Sequence, residues 1–271
     1  MTSTHKTMTD ETKARLAAAR AAMGEVSPRA RGEEKTRLAI DWIYRWGWSS
    51  PSTLDLATGG KRTGLAARLT RQKLIKSTRT ESGGGVKGIP IHMLTLTSIG
   101  QDEAERVRED LIQYELDAYK IDQTKLRHDE LSQRATADAL KKGTIKNFKT
   151  PKELAAKSEK SVKQPDVLWI DDAGQRVGIE VELSAKWDRK LDQFVLSCLQ
   201  SMSNNAHPVN KVNTVALVSD SKAIIKRYKE AFTPGTKLGI WEKNERGFWA
   251  QTRTTEVPTW AEGKLIWLFI E

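Results

Sequence analysis

Between Glu33 and Gly47 the apolar residues Leu38, Ile40, Trp42, Ile43 and Trp46 recur at mixed spacings of three and four, as along one helix face. Ser49, Ser50 and Pro51 then offer an N-cap followed by proline in a first turn. Leu54, Leu56 and Ala57 add a short apolar stripe, and Gly59-Gly60 closes it. From Lys61 to Leu74, Leu65, Leu69 and Leu74 fall inward while Lys61, Arg62, Arg68, Arg71 and Lys73 fall outward. The period then changes. Ile75 to Thr80 and Ile91 to Leu96 read as the strands of a hairpin whose glycine-rich tip, SGGGVKG, carries Lys87.

Three helices followed by a hairpin predict a winged helix-turn-helix over residues 33–100, its third helix placed for a DNA groove. MLTLTSIG, at 93–100, is similar to the strand-to-helix turn that ends many such domains. Residues 1–32 read as a flexible basic segment. From Asp102 to Lys125, Val107, Leu111, Tyr114, Ala118 and Ile121 alternate by four and three, which predicts a connecting helix over 101–125. Beyond it, residues 126–271 read as an α/β domain. Val167–Ile170 and Arg176–Leu183 form a hairpin about the turn DDAG. Leu191–Met202, Val212–Ser219, Lys222–Phe232 and Leu238–Trp241 continue as helix, strand, helix and strand of the same sheet. Leu265–Ile270 makes a final strand, and Trp249, Trp260 and Trp267 read as core.

Charge narrows the class of partner. Residues 1–100 hold 17 Lys and Arg against 8 Asp and Glu, whereas the rest hold 28 against 27. Lys61 to Lys87 contains eight basic residues and one acid, Glu81, a density suited to phosphates of double-stranded DNA. The single cysteine, Cys198, excludes an intrachain disulfide and fits a reducing compartment, so a cytoplasmic setting is expected. No apolar run reaches the roughly 20 residues of a membrane span, and GGKRTG at 59–64 lacks the spacing of a nucleotide-phosphate loop.

The chemistry concentrates in QPDVLWIDDAGQRVGIEVELSAKWDRK, residues 164–190. Strand alternation turns Glu180 and Glu182 to one side and Ile179, Val181 and Leu183 to the other. Two such carboxylates repel one another unless a cation lies between them. Asp166, after Pro165, is placed to add a third oxygen. Hard oxygen donors of this kind suit Mg²⁺ or Mn²⁺, which activate water against a phosphodiester.

Pro165-Asp166 followed across a hairpin by Glu180-Val181-Glu182 resembles the PD-(D/E)XK nuclease superfamily, which implies a mixed sheet flanked by helices. Glu182 stands where that motif has lysine, so the resemblance points to a relocated cation at Lys186 or Lys190. With the basic winged helix, the phrase LRHDELSQ at 126–133 and the Lys-Leu start of the next helix, the chain is similar to the replication-relaxation proteins and the MOBC plasmid relaxases over about residues 34–195. That similarity implies binding at a plasmid or mobile-element origin, together with other mobilisation or replication proteins. It implies metal-dependent nicking, with His128 as base or phosphate contact, Asp166, Glu180 and Glu182 holding the metal, and Asp129 or Glu130 as a further ligand. The competing expectation is a DNA-binding accessory or regulator whose nuclease-like domain has lost catalysis.

Overall fold

The computed structural model describes residues 27–60, 64–155 and 163–271, together with positions 9, 14 and 15. Most of the expected basic N-terminal segment therefore lies outside the described residues, as do Lys61 and Arg62. Helix α1 (Pro28–Trp46) starts five residues earlier than its apolar pattern suggests, because Ser27 accepts a hydrogen bond from the Ala30 amide and Pro28 suits a first turn. It ends where Gly47 adopts φ 87°, a left-handed conformation that favours glycine. Ser50 caps the short α2 (Pro51–Ala57), and α3 (Leu65–Arg71) buries Leu65 and Leu69. Strands β1 (Ile75–Arg79) and β2 (His92–Leu96) pair antiparallel, Ile75 opposite Leu96.

The expected connecting helix over 101–125 does not form. Helix α4 spans only Ser98–Glu105, and the chain beyond it is irregular apart from single 3₁₀ turns at Ala118–Lys120 and Gln123–Lys125. Asp117 and Asp122 accept bonds from the amides of Tyr119 and Thr124, local turns that compete with a helix. Tertiary bonds also hold the segment extended. Tyr44 Oη bonds both the amide and the carbonyl of Ile112, and Tyr114 Oη donates to Gly47 O and accepts from the Leu96 amide. Val107 and Leu111, seam positions of that supposed helix, are exposed.

Helix α5 (Leu126–Lys141) follows, then β3 (Asn147–Lys149), the short α6 (Pro151–Ala155), β4 (Val167–Ile170) and β5 (Arg176–Val181). Helix α7 (Asp188–Met202), β6 (Thr214–Ser219) and α8 (Lys222–Ala231) come next, and the chain ends with β7 (Lys237–Lys243), β8 (Trp249–Glu256) and β9 (Leu265–Phe269). The principal sheet is mixed, ordered β3-β4-β5-β6-β9; β3, β4 and β5 pair antiparallel, and β5, β6 and β9 parallel. The edge strand β3 carries no sequence pattern of its own. Strand β7, expected in this sheet, instead pairs with β8 in a separate two-stranded ladder, and β9 takes the place beside β6. Trp249 and Trp260, expected in the core, are exposed, whereas Trp267 is partly buried.

One face of the sheet meets α5 and the N-terminal helices in a continuous core that includes Trp42, Ile43, Leu54, Leu69, Leu131, Trp169, Ile179 and Val218. The other face meets α7 and α8 through Leu168, Phe194, Val195, Leu217 and Tyr228. The N-terminal helices therefore pack directly on the sheet layer. A buried relay fixes the contact: Trp42 Nε1 donates to Gln133 Oε1, and Gln133 Nε2 donates to Trp48 O. Among the described residues no helix is long and apolar enough to cross a membrane.

Candidate functional site

Asp166 lies just before β4 and bonds back into the sheet, its amide donating to Ile179 O. Its Oδ2 accepts from the Val181 amide at 2.8 Å and faces His128 Nε2 at 3.1 Å. His128 comes from the first turn of α5, where its Nδ1 stands 3.3 Å from Asp129 Oδ1. Both ring nitrogens thus meet carboxylate oxygens, which leaves neither free to take a proton from water. His128 stands as an ion-pair partner of Asp166, with Asp129 as its second carboxylate. Burial opposes the imidazolium, but hydrogen bonds and charge from Asp129 and Asp166 outweigh it and push the His128 pKa up to about 10. Asp166 answers in the opposite sense: burial disfavours its charge, yet the His128 contact holds its carboxyl below the usual value.

Glu180 and Glu182 are both buried, at 7% and 6% exposure, on the α7 side of the sheet. Lys163 Nζ sits 2.6 Å from Glu180 Oε2, and Lys186 Nζ pairs with Glu182 Oε1. The two ammonium groups lie over one aromatic ring, at 4.3 and 4.6 Å from the Phe194 centroid, so the carboxylates are turned to one side as strand alternation requires. Burial, with the charges of Asp166 and Glu182, pushes Glu180 up to about 7 despite the nearby Lys163.

Of the two lysines expected near Glu182, Lys186 is the one that pairs with it, and Lys163, which no motif flagged, pairs with Glu180. Lys163 precedes β4 by four residues, outside the alternation of any strand, so only the folded chain brings it to Glu180. Lys190 is exposed and takes no part in these pairs.

Glu130, the other expected further ligand, has its partners elsewhere. It points away from the cluster to the start of α2, where its Oε1 accepts from Ser50 Oγ at 2.8 Å and Thr53 Oγ1 at 2.6 Å. Burial raises its pKa although both hydroxyls oppose the shift. A carboxyl so raised favours folding in acid, and that contribution fades as pH climbs above the ordinary 4.5. We expect Glu130→Gln to keep both bonds and to flatten this dependence in urea titrations between acid and neutral pH. Glu130→Ala should cost about 2–3 kcal/mol, because two buried hydroxyls lose their acceptor.

The basic residues of the N-terminal unit divide. Arg71, Lys73 and Lys87 are exposed. Arg68, expected to face a partner, instead donates to Gly32 O and Thr36 Oγ1 and ties α3 to α1. The hairpin tip runs against the acidic cluster's own helix: a Cβ at Gly88, where φ is 81°, would stand 3.1 Å from Arg127 Cγ. Arg127 in turn pairs with Asp220, just past β6, at 2.7 Å. Trp48, Met93 and Leu126, packed with Ile89, hold tip and helix in place.

By donor chemistry, Asp166, Glu180 and Glu182 fit Mg²⁺ or Mn²⁺: all are hard oxygens, and burial, helped by the neighbouring acids, raises Glu180, a cost that a divalent ion offsets. As placed, each carboxylate meets a cation of the chain itself, and among the described residues no three His, Cys, Asp or Glu side chains form a ready ligand set. An entering ion has to displace Lys163 and Lys186. Compared with models of protein families, with curated proteins and with solved structures, the chain matches none.

Proposed function

We propose that this chain binds duplex DNA at a plasmid or mobile-element origin and nicks it by metal-dependent phosphodiester hydrolysis. In this reading residues 33–100 are a winged helix and the mixed sheet is a nuclease-like domain. The observation that carries it is the convergence of His128, Asp166, Glu180 and Glu182, from three separate elements, beside a hairpin tip bearing Lys87. An ion held by the three carboxylates would supply an activated water and neutralise charge on the phosphate. The chain's own residues do the rest: Lys87 grips the backbone, Arg127 steadies the tip through its pair with Asp220, His128 holds Asp166 in place, and Lys163 and Lys186 keep the buried carboxylates compensated until DNA and metal arrive. Supercoiled plasmid carrying a mobilisation origin, incubated with Mn²⁺, should convert to open circles with wild type and remain supercoiled with Glu180→Ala; persistence of supercoils with wild type rejects nicking.

One observation favours a second reading, a DNA-binding accessory or replication regulator without catalysis: every carboxylate of the cluster is already paired. Such a protein would bind the same plasmid and leave it intact.

Duplex binding is common to both readings. Arg71→Ala and Lys87→Ala are each expected to weaken it and to lower the slope of log affinity against log salt by about one. Arg68→Ala should lower thermal stability instead, because its guanidinium is spent inside the fold. Binding that ignores salt would contradict the proposal.

A further inference from the structure

The surface beside the cluster holds a feature that neither reading of the carboxylates uses. Trp187 follows directly on Lys186, the partner of Glu182, yet its indole is 60% exposed. A ring of this size left in water forfeits stabilisation that burial would bring, so its position calls for another cause. It is also held there. The Arg227 guanidinium lies 3.4 Å from the ring centroid, and Arg227 Nε donates to Lys186 O at 2.9 Å. The next residue, Asp188, takes φ 43°, in the left-handed region that residues other than glycine rarely adopt. Two independent devices, a strained backbone and a stacked arginine, thus present one aromatic face to solvent. Arg189, two residues on, stacks in the same way at 4.5 Å on the exposed Trp249.

We propose that Trp187 is a stacking platform for an unpaired nucleobase, so that this face binds a single DNA strand next to the carboxylate cluster. Arg227 fills one side of the indole and leaves the other for a base, whose π-face any sequence provides. Guanidinium stacking fixes the ring and adds positive charge near the strand. Within residues 186–190, KWDRK, Lys186 is spent on Glu182, which leaves Arg189 and Lys190 against Asp188, a balance that suits a phosphate backbone running past the platform. A base seated on Trp187 brings its phosphodiester beside Lys186 and hence to the end of β5. A protein that acts on one strand of a duplex has to hold that strand once it is unpaired, so this inference rests on the DNA-binding reading and specifies which form of DNA meets the sheet domain.

The test measures fluorescence anisotropy of the full chain with a labelled 20-nucleotide single strand and with the same sequence as duplex. Trp187→Ala should weaken single-strand binding about five- to hundredfold, the span one stacked base contributes, and leave duplex binding unchanged. Trp187→Phe should retain most of the affinity, since it keeps an aromatic face. Unchanged single-strand affinity in Trp187→Ala, or an equal loss for both DNA forms, overturns the platform. If duplex fails to bind even wild type while single-strand binding still depends on Trp187, the platform stands and the winged-helix reading falls. Because the indole is mostly exposed, matched thermal melts of the three proteins separate a binding loss from a folding defect.

Discussion

Glu153→Ala is expected to lower stability by about 3 kcal/mol, which for a chain of this size moves the melting temperature down by on the order of 10 °C. Glu153 lies on α6, with its side chain only 15% exposed, between two arginines. Arg45 Nε donates to its Oε1 at 3.0 Å, and Arg108 Nη2 reaches the same oxygen at 3.2 Å. Both arginines also meet Asp41, and the Arg45 guanidinium lies over the Phe148 ring at 3.7 Å. Removing the carboxylate leaves two largely buried arginines to share Asp41 alone where α1, the extended segment and β3 meet, and a buried charge that loses a partner costs more than an intact pair contributes. The pH dependence has a definite sign. Burial alone would raise the Glu153 carboxyl, but the Arg45 charge and the hydrogen bonds from Thr150 and Arg45 together outweigh it and hold the pKa below the ordinary 4.5. The network therefore contributes fully above 4.5 and is lost as pH falls through the lowered value. Wild type should lose stability on acidification through this range more steeply than Glu153→Gln, as read by denaturant titration at a series of pH values.

The second large effect concerns the cluster. If the chain nicks DNA as proposed, with Glu182 holding the metal, Glu182→Ala is expected to slow open-circle formation more than about a hundredfold, since groups one step removed from a metal already cost 10- to 100-fold, and to leave duplex affinity unchanged. Calorimetric titration of Mn²⁺ should show weakened binding in the variant; equal affinity in both proteins would detach the carboxylate from the metal. Viewed as two neighbouring acids alone, Glu180 and Glu182 suggest that the substitution relieves repulsion and stabilises the metal-free protein. Lys186 reverses that expectation. Without Glu182 its ammonium keeps, among the described residues, the Phe194 ring, so the metal-free variant should lose about 1.5–3 kcal/mol, the range for a hydrogen bond to a charged group. Glu182→Ala combined with Lys186→Met should recover part of it, and the double-mutant cycle measures the pair directly.

Periodicity made the N-terminal elements legible because each satisfies its own local chemistry: Ser50 and Pro51 start α2, the leucines of α3 face inward, and a glycine-rich tip separates β1 from β2. The same signal misled over 101–125. There a seam of four and three exists in the sequence, but Tyr44 and Tyr114 spend their hydroxyls on the backbone of the extended chain and its neighbours, which outweighs a helix with few apolar contacts. Pairing was illegible for β7, whose strand character is local while the choice between β6 and β8 depends on how the chain returns.

By itself the sequence determined which residues could carry chemistry. Alternation turns Glu180 and Glu182 the same way, Pro165 sets Asp166 at the entry to a strand, and the excess of basic charge falls in the first hundred residues. Tertiary structure decided what each one meets. Arg68 is drawn inward to α1, Glu130 turns to the start of α2, and Lys163 and Lys186 close on the two carboxylates over a shared phenyl ring. The division has a physical reason. Facing and charge depend on backbone geometry over a few residues, whereas a partner is chosen by packing elements distant in sequence, where desolvation makes an unpaired charge too costly to leave alone.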